Sequence, residues 1–227
     1  MVYHELGRYP LLIIRKLRIM KYWIKVKNSE NCILQSCYED MLVNKDKWLM
    51  NIKDELFRIG LGYLWDLDNV DLSLFRIIKS RIYDIYKQEC LNQIKDSSKG
   101  YLYQYVCNDF NLQSYLRKPI NSNYIKELTK IRLAAHNLNI ESGRYTNVDR
   151  EERICTLCEL NDIEDEFHFI LKCPLYHELR NKYIKPYYQK KPSSMKLVQL
   201  LSTENTKDLA NLGKFVSLAQ KKRRETL

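Results

Sequence analysis

The chain has 227 residues, of which 38 are Lys or Arg and 28 are Asp or Glu, and 45% are apolar. That apolar share excludes wholesale disorder, and six glycines with five prolines are too few for a loop-rich all-β or collagen-like protein. No apolar run approaches the roughly 18 residues of a membrane span, and no secretory leader is visible, so an intracellular, membrane-free protein with reduced or metal-bound cysteines is expected.

Taken in chain order, the pattern is mainly helical. From Leu11 to Lys27 the residues Ile13, Leu17, Met20 and Ile24 recur at steps of four, three and four, which places them on one helix face. Leu12, Ile19 and Trp23 widen that surface, while Arg15, Arg18, Lys21 and Lys25 fall on the other side. A second helix is predicted from about Lys45 to Ile59, stopping at Gly60 and Gly62. A third is predicted from Leu72 to Ile94, burying Leu74, Ile77, Ile78, Ile82, Ile85 and Tyr86. It ends at the small-polar cluster Ser97, Ser98 and Gly100. Tyr101 to Phe110 alternates aromatic and polar residues and reads as either a short strand or an irregular helix. Asn121 or Ser122 caps a helix over about 123–137. Residues 164–172, 174–188, 194–202 and 206–224 read as further helices. The expected fold is an irregular helical bundle with one small embedded CCHC zinc-knuckle site. Residues 1–100 form a first helical region, and 101–227 a second that holds the knuckle at about 153–175 and a basic helical tail.

Charge is segregated along the chain. Residues 1–27 carry a net +6, 28–154 are neutral, 155–173 carry −4 and 174–227 carry +8. Contacts with a polyanion should therefore involve the two ends. The acidic stretch Glu164-Asp165-Glu166 is read as a solvated helix start pairing with Arg150 or Arg153, and it should repel phosphates. A metal-dependent nuclease built on those carboxylates is the weaker reading.

One constellation carries chemistry: Cys155 and Cys158, then nine residues to His168, then four to Cys173. Two thiolates two residues apart can grip one ion from a single tight turn. His168 and Cys173, on a predicted helix and at its end, complete four soft donors suited to tetrahedral zinc. A closed shell leaves no position for substrate, so the ion should be structural. The competing reading is a set of buried thiols beside an unrelated histidine, which is also the default for Cys32, Cys37, Cys90 and Cys107. His136 and His177 are conceivable outer or substitute ligands but are packing or solvated residues by default, and His4 has no evident role. Phosphate-binding glycine loops and the common hydrolase motifs are absent from the sequence.

After the cysteine cluster, Tyr183, Tyr187 and Tyr188 alternate with Lys182, Lys185, Lys190 and Lys191. Bases can stack on exposed rings while lysines neutralise phosphates, so these seven residues are the candidate nucleic-acid surface; helix packing with solvated lysines is the equal alternative. The tetrad Lys221-Lys-Arg-Arg224 reads either as a nuclear import signal, which would favour the nucleus over the cytoplasm, or as cations suited to a helix C-terminus.

Several segments together resemble a known family. They are Glu5-Leu-Gly-Arg-Tyr-Pro10 with Lys21-Tyr-Trp23, Leu128-Thr-Lys-Ile-Arg132 with His136 and Leu138, and Ile140-Glu-Ser-Gly-Arg144. To these add Arg150-Glu-Glu-Arg-Ile-Cys155 and Glu164-Asp-Glu-Phe-His-Phe169 with Cys173-Pro174. Over about residues 3–224 the chain resembles the C-terminal region of invertebrate non-LTR (LINE-type) retrotransposon polyproteins, which follows the reverse transcriptase and ends in a zinc knuckle. The resemblance implies Cys155, Cys158, His168 and Cys173 as zinc ligands, RNA or DNA as partner, and a reverse transcriptase domain as a further partner. The chain departs from the whole polyprotein in having no Asp-Asp pair and no endonuclease part, so a non-enzyme is expected, a detached or truncated piece. The nine-residue gap before His168 also exceeds the four-residue gap of retroviral knuckles. The alternative is an interaction domain without nucleic-acid contact, docking on a polymerase through Leu17, Met20 and Ile24.

Overall fold

The computed structural model describes residues 1–107 and 109–227, and of Leu72 the backbone alone. Asn108, inside the ambiguous 101–110 segment, lies outside the described residues. Helices dominate, as the sequence pattern predicts. In chain order they are α1 (Val2–Glu5), α2 (Leu11–Lys27), α3 (Cys32–Val43), α4 (Lys47–Arg58), α5 (Leu72–Asp96) and α6 (Gly100–Val106). They continue with α7 (Ser122–Arg132), α8 (Asn139–Tyr145), α9 (His177–Tyr183), α10 (Pro186–Gln189), α11 (Ser194–Leu201) and α12 (Thr206–Thr226). The chain divides into two compact units, Tyr9–Asn92 and Met1–Arg8 with Gln93–Leu227.

In the unit Tyr9–Asn92, the apolar face of α2 is consumed internally. Ile13, Leu17, Met20, Trp23 and Ile24 pack in one core with Leu49, Ile52 and Leu56 of α4 and Ile78 and Ile82 of α5. This corrects the reading of Leu17, Met20 and Ile24 as docking residues: α4 and α5 already cover them. Ile77, expected inside, points out of α5. Asp46 starts α4 by accepting a hydrogen bond from the Trp48 N–H at 2.8 Å, and Gly60, at φ +73°, follows its end. Helix α3, which the sequence pattern did not single out, is capped by Asn31 and has no buried residue.

In the other unit, α7 lies along α12, and the approach requires Gly213, where a Cβ would sit 2.6 Å from the Tyr124 Cβ. Residues 1–8 belong here and not with 9–100 as the sequence division had them. Glu5 accepts a 2.7 Å hydrogen bond from Arg132 Nε, and both are buried. Gly7, at φ +57°, lets the backbone close on Leu112, where a Cβ would come within 2.5 Å. Such pairings have no local signature in the sequence.

Of the two readings of the 101–110 segment the helical one holds, over Gly100–Val106. Other expected elements differ in extent. The 123–137 helix stops at Arg132, because Ala134 turns to φ +49° and the Ala135 N–H bonds back to Lys130 O at 2.8 Å. The 174–188 helix breaks between α9 and α10, since Pro186 forces Lys185 into an extended conformation.

Candidate metal centre

The site starts from a hairpin. Ile154 and Ile163 pair antiparallel, the Cys155 N–H donates to Asp162 O at 2.9 Å, and the Glu164 N–H donates to Arg153 O at 2.9 Å. The eight-residue loop closed in this way presents Cys155 and Cys158 from one end, with Asn161 supplying a positive φ of 51°. Asp165 then starts the next helical turn, its Oδ1 accepting from the His168 N–H at 2.8 Å.

That turn is not an ordinary α-helix. Residues His168–Lys172 are π-helical, closed by the Cys173 N–H donating to His168 O at 2.8 Å. At 3.6 residues per turn, five residues would set His168 and Cys173 about 140° apart around the axis. The wider turn brings them back to one side, so the local irregularity is what completes the donor set. Arg180 supports it from α9, donating from Nε to Ile170 O and from Nη2 to Cys173 O, both at 2.8 Å.

The ligand atoms of Cys155, Cys158, His168 and Cys173 all lie within 4.8 Å of one another, so the cluster can hold a metal ion. Cys158 Sγ and His168 Nε2 are 3.4 Å apart. A tetrahedral ion at about 2.3 Å from sulfur needs donors about 3.8 Å apart, so only small adjustments separate this arrangement from a closed shell. Behind the site, Asp162 Oδ2 stands 3.6 Å from His168 Nδ1, a buried nitrogen with no hydrogen bond at that distance. A carboxylate behind a ligating imidazole fixes the tautomer that leaves Nε2 free for the metal. Burial pushes the Cys155 and Cys173 thiols up, Cys173 to about 12, and pulls His168 down. Without a cation burial would keep the Cys155 and Cys173 thiols protonated; a divalent ion supplies the charge that reverses this.

The three acids of this segment are built in, which corrects their reading as a solvated patch. Glu164 is buried and accepts from Arg223 Nε at 2.8 Å and Nη2 at 2.7 Å. It also accepts the Asn139 N–H at 2.8 Å, capping α8. Glu166 accepts from His136 Nε2 at 2.9 Å, an orientation set by the Leu138 N–H donating to His136 Nδ1. Neither Arg150 nor Arg153 forms an ion pair with these acids. Arg153 donates to Val148 O and Ile140 O, and the Arg150 guanidinium lies over the Tyr101 ring. His136 is therefore a partner of Glu166 and stands outside the metal cluster, and His177 is bonded to Asn181.

Outside the cluster, Cys90 and Cys107 are buried as expected, but Cys32 and Cys37 are exposed on α3. Of the basic tetrad, Arg223 is buried on Glu164 and Lys222 donates to Leu175 O, so the run is not a free basic stretch. The lysine–tyrosine segment is divided. Tyr183 and Tyr188 are half-buried against the core, and Lys185 pairs with Asp208 at 2.6 Å. Tyr187 is 57% exposed, with Lys196 Nζ 4.7 Å from its ring centre. Lys182, Lys190 and Lys191 are exposed, and none has a carboxylate within 4.0 Å among the described residues.

No helix among the described residues is long and apolar enough to cross a membrane. Compared with protein-family models, curated proteins and solved structures, the chain matches none.

Proposed function

We propose that Cys155, Cys158, His168 and Cys173 hold one zinc ion, and that the chain is a non-catalytic nucleic-acid-binding module like the C-terminal region of LINE-type retrotransposon polyproteins. The mutual approach of four soft donors within 4.8 Å carries this reading. Three thiolates and one imidazole favour zinc over hard cations and fill its tetrahedral shell, so the ion's work is to fix the hairpin against the π-turn. The partner is RNA or DNA, contacted through Lys182, Lys190, Lys191 and the outward ring of Tyr187. Polymerase chemistry is not assigned to the chain, because it lacks paired aspartates to hold catalytic metals; a reverse transcriptase domain is a partner and not an activity of these residues.

Cobalt(II) titration of reduced, metal-free protein tests the reading. Tetrahedral thiolate coordination predicts a saturable visible and near-ultraviolet spectrum at one equivalent, displaced by zinc and lost in Cys155→Ser. A featureless titration overturns it.

A further inference from the structure

The unit Tyr9–Asn92 has its own charge asymmetry. Helix α2 carries six Lys or Arg and no acid, whereas the rest of that unit has eight basic and eleven acidic residues. Two of the six are engaged inward: Lys16 pairs with Glu55 at 2.9 Å and Lys27 donates to Trp65 O at 2.6 Å. The other four, Arg15, Arg18, Lys21 and Lys25, are exposed, and none has a carboxylate within 4.0 Å among the described residues. Unit 9–92 thus holds eleven acids and pairs none of them with these four cations; Asp54 and Glu55 share a groove with Arg15 alone of the four.

Spacing turns these four charges into a row. They recur at steps of three, three and four along a helix, which runs them along its outward side over about 15 Å. A stacked strand presents a phosphate about every 3.4 Å, so the row matches about four phosphates. Tyr22 stands within the row with 57% of its surface exposed. Arg18, Lys21, Tyr22, Ile24, Lys25 and Asn28 wall a shallow groove of about 510 Å³, and the Tyr22 ring meets Trp48 edge-on at 5.9 Å between ring centres. We infer that the outward face of α2 binds the backbone of single-stranded nucleic acid, with Tyr22 as a stacking platform. This surface shares no residue with the metal centre or with the lysines at 182–191, and the inference does not rest on the zinc reading.

An anionic membrane is the less favoured occupant. A helix lying in a lipid interface must bury its apolar face in the bilayer, and α2 has already buried Ile13, Leu17, Met20 and Ile24 in protein. Nucleic acid needs only the cations and the ring, both of which are presented.

The test uses the full chain carrying Arg15→Gln, Arg18→Gln, Lys21→Gln and Lys25→Gln together, with Tyr22→Ala as a separate variant. None of the five side chains is buried, and circular dichroism melting checks that both variants fold. Binding to labelled oligouridine of about 20 nucleotides is measured across about 50–200 mM salt. The fourfold variant should lose at least about tenfold in affinity at low salt and flatten the log–log slope by up to about 3, at about 0.7 per phosphate contact. Tyr22→Ala should weaken binding at unchanged slope. The fourfold loss should persist in a Lys182→Gln, Lys190→Gln, Lys191→Gln background and in chelated protein, which separates it from the function proposed above. Unchanged affinity and slope in the fourfold variant overturn the inference. So does a fourfold variant that loses phosphatidylserine vesicles but keeps the oligonucleotide. A silent Tyr22→Ala overturns the single-strand assignment.

Discussion

Glu164 and Arg223, 59 residues apart in sequence, form a fully buried two-point ion pair at 2.7 and 2.8 Å. Glu164 lies between the cysteine hairpin and the histidine turn, and Arg223 lies in the last turns of α12. The pair therefore ties the metal segment to the longest helix of its unit, and the Asn139 N–H completes the carboxylate's partners.

Removing one partner should be costly. Arg223→Ala leaves a buried carboxylate unpaired, and breaking a buried pair in this way typically costs about 3–5 kcal/mol. Urea unfolding followed by near-ultraviolet signal should show that loss, while Glu164→Gln with Arg223→Met together should cost clearly less. A double change that costs as much as the sum of Glu164→Gln alone and Arg223→Met alone would mean that the pair carries no coupling.

Chelation should act locally. Structural zinc supplies about 10–16 kcal/mol of apparent binding energy in small finger peptides, so its removal should open the hairpin and the π-turn. Hydrogen exchange should rise over residues 153–176 and remain unchanged in α4, whose core is independent of the site. Uniform exchange with and without chelator would contradict this.

Burial lowers the pKa of His4, which contacts Tyr103 Oη at 3.1 Å and Cys107 Sγ at 3.3 Å. A group whose folded pKa is depressed favours the folded state at pH above its unfolded value near 6.5. The His4 part of the stability should therefore fall as pH drops below that value, with a slope of no more than one proton. His4→Gln should remove that part of the slope in a comparison of unfolding at several pH values.

The tyrosines after the metal site should separate by burial. Tyr187→Ala should weaken single-strand binding by about 1–3 kcal/mol with little change in melting temperature. Tyr188→Ala should lower the melting temperature instead, because that ring packs on the core. Of the four lysines, Lys185 should contribute least to the salt slope, being held by Asp208.

Much of this was readable from residue spacing. The four-three-four spacing of Ile13, Leu17, Met20 and Ile24 located α2 and its buried face, and the cysteine–histidine spacing located the donors that the fold brings together. What spacing could not reveal depends on distant partners. The burial of Glu164 needs Arg223, and the placement of residues 1–8 needs Arg132. The π-turn was hidden because a five-residue step between His168 and Cys173 fits no regular helical face. Helix α3 was missed because it only half-buries Tyr38, Met41 and Leu42 and fully buries no residue, so it carries no strong apolar stripe. The acids at 164–166 look solvated in sequence for the same reason that they are not: their partners come from elsewhere in the chain.

The most direct test is the metal content of the purified, reduced chain, measured by elemental mass spectrometry beside Cys173→Ser. One zinc per chain in the parent and well under one in the variant is the expected result. A parent protein with far less than one equivalent that still melts as a single folded species, unchanged by added zinc, would contradict the central claim.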